Sequence, residues 1–257
     1  MLLTVDVGNT DIVYGVYHKN QLIKYWRMST DKSKSADELG MFLKQLLIHD
    51  GLSLLDIKDV IISSVVPTIM YSLQHMSIKY FGKEAIVVGP GIKTGMKILY
   101  DNPKQVGADR IVNGVSAFHK YGGPIIVVDF GTATTFCGIT SDMEYLGGAI
   151  APGIKISSDA LFQKAAKLTR VELQMPIKAI AKSTNESIQS GITFGYVGLV
   201  DYMVKLFKEE MKGDDIKVVA TGGLSSLIAT KSEEIDVVDK FLTLDGLKII
   251  YDLNSKR

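Results

Sequence analysis

Two short stretches of the 257-residue sequence have the residue types to bind a polyphosphate. They are Asp6-Val7-Gly8-Asn9-Thr10 and Asp129-Phe130-Gly131-Thr132-Ala133-Thr134, with Thr132 one position earlier than Thr10. In each, glycine lets the backbone approach an anion closely. The following N–H groups and hydroxyls can donate to phosphate oxygens. The aspartate can hold a divalent ion, directly or through water. A single turn of this kind is more often an ordinary hairpin. Two copies at matching places in two similarly ordered halves point to a pair of loops that grip a polyphosphate. A third element, Val218-Val219-Ala220-Thr221-Gly222-Gly223-Leu224, is an apolar strand running into a Gly-Gly turn. Adenine or ribose can lie flat against such a side-chain-free turn. Gly107-Ala108-Asp109-Arg110 adds a carboxylate and a guanidinium at a helix start, where an acid also serves as a plain cap. No Gly-Lys-Ser/Thr follows a glycine loop, and no Gly-x-Gly-x-x-Gly joins a strand to a helix. Neither a P-loop nor a Rossmann site is indicated.

The elements that must carry these residues follow from periodicity. Residues 2–8, 12–18 and 21–29 read as three strands with a turn at His18-Lys19-Asn20-Gln21. Leu39, Phe42, Leu43, Leu46 and Leu47 predict a helix from Ser35 to about His49. A strand at 60–65, a helix at 69–80 and a short strand at 85–88 complete a β-β-β-α-β-α-β order. A second cycle begins after a helix at 107–121. Strands at 125–129, 133–140 and 143–151 precede helices at 154–167 and 184–211, a strand at 216–221, a strand near 235–238 and a helix near 244–252. The boundary between halves falls before Gly122-Gly123-Pro124, giving expected domains of 1–118 and 119–257.

The net charge is +1, from 29 basic and 28 acidic residues, which argues against a nucleic-acid footprint or a polybasic membrane patch. The N-terminal run has no basic region and is interrupted by Asp6, so it does not read as a signal peptide. No apolar stretch approaches the roughly 20 residues that span a bilayer. Cys137 is the only cysteine, which fits a cytoplasmic protein without an internal disulfide. His18, His49, His75 and His119 show no metal-ligand spacing.

The two phosphate motifs and the Gly-Gly motif, in that order, resemble the superfamily of acetate and sugar kinases, heat-shock ATPases and actin. The finer resemblance, over nearly the whole chain, is to type III pantothenate kinases. It is carried by 6–10, by Ile62-Ser63-Ser64-Val65-Val66-Pro67, by 107–110 and 129–134, and by Gly147-Gly148-Ala149-Ile150-Ala151-Pro152-Gly153. Leu161 to Leu173, Ser183-Thr184-Asn185-Glu186 and Thr221-Gly222-Gly223 complete it. Thr169 and Cys137 depart from the family's usual proline and acid; neither lies at the core of a phosphate motif.

The resemblance implies an α/β fold of two ribonuclease-H-like domains (the actin-like ATPase fold) with an interdomain nucleotide cleft. It implies ATP-dependent phosphorylation of pantothenate to 4′-phosphopantothenate, the first committed step toward coenzyme A. Rival readings are another small-molecule kinase of the superfamily and a non-catalytic regulatory factor. By the same resemblance, Asp6, Val7, Gly8, Asn9, Thr10, Asp11, Ile12, Val13, Gly131, Thr132, Gly222 and Gly223 bind ATP. Asp6 holds Mg²⁺, and Asp129 a monovalent cation, potassium or ammonium. Tyr100, Gly107, Ala108, Asp109, Arg110 and Thr184 contact pantothenate, with Asp109 as the catalytic carboxylate and Arg110 facing the substrate's carboxylate. The helix dipole and Arg110 are expected to keep Asp109 ionised at a depressed pKa. A homodimer is implied too, and the many apolar positions of the helix from 184 (Ile188, Ile192, Phe194, Val197, Leu199, Val200) are consistent with it.

Overall fold

Runs rich in apolar, β-branched and aromatic residues turn the first segment into an antiparallel meander of β1 (Leu2–Val7), β2 (Asp11–His18) and β3 (Gln21–Ser29). In the computed structural model, which describes residues 1–165, 168–213 and 215–255, β4 (Asp59–Ser64) then pairs parallel to β1, and β5 (Ile86–Val87) parallel to β4. The sheet order is β3-β2-β1-β4-β5. The crossovers are α1 (Ala36–His49) and α2 (Pro67–Met76). Ser35 and Glu38 cap α1 reciprocally, and Pro67 sits at the start of α2, where its missing N–H costs no helical bond. One face of the sheet packs Leu3, Val5, Val7, Ile12, Tyr14 and Ile62 against Leu39, Leu43 and Leu73 of these helices.

The last helix, α7 (Leu242–Ser255), lies against the same sheet. Tyr17 donates to Asp245 at 2.6 Å, and Tyr251 donates to Asp59 at 2.7 Å. It also meets α3 (Ala108–Tyr121) closely. A Cβ on Gly246 would stand 2.3 Å from the Val112 carbonyl oxygen, and Thr243 donates to Asn113 at 2.7 Å.

The second sheet contains β7 (Ile125–Phe130), β8 (Ala133–Ile139), β9 (Glu144–Pro152), β10 (Lys217–Gly222) and β11 (Val237–Val238). Its order is β11-β10-β7-β8-β9, with β6 (Lys97–Ile98) added outside β9. Without β6 this is the order of the first sheet, and β10 pairs parallel to β7 as β4 does to β1. The burial patterns of β1 and β7 are identical: every residue is buried except the fifth, which is Asp6 in one and Asp129 in the other. Helices α4 (Ile154–Lys164), α5 (Thr184–Met211) and α6 (Ser225–Ala229) accompany this sheet. Both sheets therefore have the ribonuclease-H-like topology expected from the resemblance.

The chain forms two units. Unit 1 holds Met1–Gly95, Asn102–Ser116 and the segment from Thr243 onward; unit 2 holds Met96–Asp101 and Ala117–Leu242. This differs from a single cut at 118/119, because β6 pairs with β9 and α7 packs on the first sheet. Smaller differences follow from local chemistry. The helix expected over 69–80 ends as α-helix at Met76 and continues as a π-type turn, Ser77–Phe81. The helix expected over 154–167 ends at Lys164, and positions 166–167 lie outside the described residues. No helix of the described residues is long and apolar enough to cross a membrane.

Candidate active site

The first phosphate motif closes as a four-residue turn, since Val7 pairs with Ile12. Gly8 N–H donates to the Asp11 carbonyl at 2.9 Å. Thr30, just after β3, fixes the turn from outside: its N–H donates to Thr10 O at 2.8 Å and its hydroxyl to Gly8 O at 2.7 Å. Nothing in the local sequence marks Thr30, because its role arises from strand pairing. Arg27 holds Asp11 in an ion pair at 2.9 Å. Asn9 and Thr10 are exposed, while Val7, Ile12 and Asp6 lie in the sheet, the first two wholly buried. Val13 pairs with Asp6 across the hairpin.

The second turn is one residue shorter, since Phe130 pairs with Thr134, and Gly131 N–H donates to Ala133 O at 3.1 Å. That is the structural form of the displaced threonine. Gly131 and Thr132 are exposed, and Gly153, after β9, lies directly beneath them. Its N–H donates to Thr132 O at 3.1 Å. A Cβ there would stand 2.2 Å from Thr132 O and 2.7 Å from Gly131 O. Gly153 belongs to the motif run from Gly147, but the sequence gives no sign that it supports the phosphate turn. Gly222 closes on the same turn from β10. Its φ of +91° suits glycine, and a Cβ would stand 2.6 Å from Phe130 O and 2.7 Å from Asp129 Oδ1. Ser225 caps this bend by donating to Gly222 O at 2.8 Å, and Gly223 is exposed beside it.

Asp109 and Arg110 open α3. Arg110 is 7 % exposed, so it is not a solvated surface cation. Asp109 lies inside the first turn instead of preceding it, and accepts the Arg110 backbone N–H at 2.8 Å. A Cβ on Gly107 would stand 2.5 Å from Asp109 Oδ1 and 3.8 Å from Val65. Val65 in turn donates its N–H to Val7 O at 3.1 Å. Ala108, the first helical residue, completes this segment. Within unit 1, therefore, Asp109 stands near the end of β4, beside Val65, the residue that follows β4 and bonds to the last residue of the first phosphate strand. The expected depression of its pKa is overturned. Burial raises the carboxyl above its ordinary value, and the Arg110 N–H and charge offset only part of that rise.

Tyr100 and Thr184 belong to unit 2. Tyr100 is half-buried, its ring covering Gly147 and 6.4 Å from that of Tyr145. Thr184 is exposed at the first turn of α5. Ser183 caps that helix by accepting Glu186 N–H at 3.3 Å, and its hydroxyl donates to the Glu186 carboxylate at 3.1 Å.

The donor set fits a hydrated cation better than a protein-caged one. No group of three or more His, Cys, Asp or Glu side chains gathers among the described residues. A single half-buried carboxylate at the end of each central strand suits Mg²⁺, which keeps several waters and takes phosphate oxygens as further ligands.

Two ribonuclease-H-like units, each with an Asp-x-Gly turn at the end of its central strand, define the actin-like ATPase fold. Solved structures share this fold. A Campylobacter jejuni protein described as a Baf-family transcriptional activator is 20% identical, with a TM-score of 0.65 over 99% of this chain and 100% of that one. MreB 5 of Spiroplasma citri, bound to AMPPNP, is 11% identical with a TM-score of 0.57 over 99% and 97%. The ROK hexokinase of Thermus thermophilus is 11% identical with a TM-score of 0.54 over 99% of both. The family model for type III pantothenate kinase matches residues 2–206, and the chain belongs to that family. Its activity is the phosphorylation of pantothenate by ATP in coenzyme A biosynthesis.

Proposed function

We propose that Asp109 orients the pantothenate hydroxyl for in-line attack on the γ-phosphoryl group of ATP. The observation that carries this reading is the half-buried carboxylate at the start of α3, next to Val65, which is hydrogen-bonded to the first phosphate strand. Phosphoryl transfer proceeds through a loose transition state, so the protein's contribution is positioning and charge stabilisation. Asp109 accepts the hydrogen bond of the attacking hydroxyl and takes its proton late. The backbone N–H groups and hydroxyls of Gly8–Thr10 and Gly131–Thr132 hold phosphate oxygens. Gly222 and Gly223 carry the adenosine. Gly107, Ala108, Arg110, Tyr100 and Thr184 hold pantothenate, with the Arg110 guanidinium matched to its carboxylate. Asp6 holds Mg²⁺, which when bound neutralises charge on the β- and γ-phosphates. A coupled ADP-release assay tests the reading: release must depend on pantothenate. Release with another hydroxyl substrate instead, or none at all, would favour one of the rival readings.

The raised pKa has a kinetic consequence. Asp109 must be ionised to accept the hydroxyl proton, so activity is lost as pH falls through its folded-state pKa. The acid limb of kcat/KM is therefore expected above the ordinary aspartate value of about 3.9, and Asp109→Glu should move it. A limb at or below the ordinary value would argue that Asp109 does not take the proton.

Asp129 is the proposed ligand of a monovalent cation. Support comes from its place as the fifth residue of β7, beside the second phosphate turn and in contact range of Gly222. Rates in sodium or Tris salts are expected to rise when potassium or ammonium is added; equal rates in all four would remove the assignment.

A cytoplasmic homodimer is the proposed state. The supporting observation is the apolar surface of unit 2, where Ile150, Ile156, Phe162, Ile177 and Ile180 are all exposed, the last two at 97 % and 89 %. Much of α5 is spoken for by the core, since Ile188 and Val200 are buried and Ile192, Val197 and Leu199 pack against the core cluster that contains Val200. Sedimentation is expected to give a dimer that Ile177→Lys weakens; a fully active monomer at micromolar concentration would refute it.

A further inference from the structure

Each of the two metal-side carboxylates has a hydroxyl residue beside it on the adjacent strand. In the parallel register of β1 and β4, Asp6 stands beside Ser63; in that of β7 and β10, Asp129 stands beside Thr221. Partners in a parallel ladder point to the same face. The burial of Val5, Val7, Val60 and Ile62 in the opposite core assigns Asp6 and Ser63 to the other face. Both hydroxyl residues are buried, Ser63 completely and Thr221 to 3 % exposure. Among the described residues the Ser63 hydroxyl has no hydrogen-bond partner. Leaving a buried hydroxyl unsatisfied is costly, so one that lies next to a functional carboxylate calls for a reason. Nothing on its own strand supplies one: Ser64, its neighbour, uses its hydroxyl in the turn before α2, accepting Val66 N–H at 3.0 Å.

We infer that Ser63 is a positioning residue for the cation at Asp6. Its hydroxyl takes a hydrogen bond from a water in the hydration shell of the divalent ion, which fixes that shell against the carboxylate. The inference rests on the proposed role of Asp6. It goes further by assigning the orphaned hydroxyl a partner that arrives only with the metal–nucleotide. Such outer contacts tune affinity without touching the metal.

The test is Mn²⁺ binding, followed by electron paramagnetic resonance, to the full chain with a non-hydrolysable ATP analogue present. Ser63→Ala and Ser63→Cys remove the strong hydrogen-bonding group while nearly keeping its volume. Both are expected to weaken Mn²⁺ binding about 10–100-fold. Metal-free nucleotide affinity should stay unchanged, and the ligand-free melting temperature unchanged or higher, because an unsatisfied hydroxyl has gone. Asp6→Asn separates the two levels of the argument. If Asp6→Asn abolishes Mn²⁺ binding and both Ser63 variants bind it normally, the Ser63 assignment is overturned and Asp6 stands. If Asp6→Asn also binds Mn²⁺ normally, both are overturned. A fall in melting temperature of both Ser63 variants, with Mn²⁺ affinity retained, would make Ser63 a packing residue and overturn the inference too.

Discussion

Asp109→Asn is expected to lower kcat on the order of 10²–10⁴-fold, the range for removing an acid–base group. Asparagine keeps the size and can still accept the Arg110 N–H bond, but it cannot take a proton or carry the charge that aims the hydroxyl. ATP binding should change little, because Asp6, Asp129 and both glycine turns are untouched. Stability should move the other way. Burial raises the folded-state pKa of Asp109 above its unfolded value, and Arg110's opposing pull is already included in that direction. The folded protein therefore binds this proton more tightly than the unfolded chain. The stability contribution is present below the unfolded pKa and is lost as pH rises through the folded pKa. At neutral pH the ionised carboxylate is a cost that asparagine removes. The variant should melt at or above the wild-type temperature near pH 7.5, and the difference should close in acid. Near-normal kcat in Asp109→Asn, with Asp6→Asn inactive, would reduce Asp109 to a structural acid.

Gly153→Ala should cost nearly as much, although Gly153 carries no functional group. Its added Cβ would meet the Thr132 carbonyl at 2.2 Å and the Gly131 carbonyl at 2.7 Å. Both are backbone atoms of the second phosphate turn, so the turn itself must move. Misplacing reacting groups by about 1 Å can cost on the order of 10²-fold in rate, and overpacking typically costs about 1–3 kcal/mol of stability. The expected result is a large fall in kcat/KM for ATP with a modest drop in melting temperature. Gly191→Ala is the control, since a Cβ there meets nothing within 4 Å on α5. Equal kinetics for the two variants would mean that the turn does not depend on Gly153.

The sequence by itself determined what local chemistry can encode. Near-continuous apolar runs specified the central strands β1 and β7, because strands covered on both faces need apolar residues at almost every position. Helix α5 runs from Thr184 to Met211 as expected, since Ser183 caps its start and the helical pattern continues to Met211. Both Asp-x-Gly turns lie at strand ends for a local reason too: an acid ends an apolar run, and a glycine permits the bend.

Tertiary structure decided the rest, wherever the deciding partner lies far along the chain. The residues near 244–252 read as a helix, but only packing could assign them to unit 1: Gly246 allows the approach to Val112, and Tyr17 and Asp59 receive Asp245 and Tyr251. The pKa of Asp109 was misjudged from its neighbours in sequence, because the helix dipole and Arg110 are visible there and burial is not. Thr30 carries no motif of its own, and the motif runs that contain Gly153 and Ser63 do not reveal what these residues touch. Each became part of the site only when strand register and loop closure brought it against a glycine turn or an aspartate, and those pairings span 20 residues or more of chain.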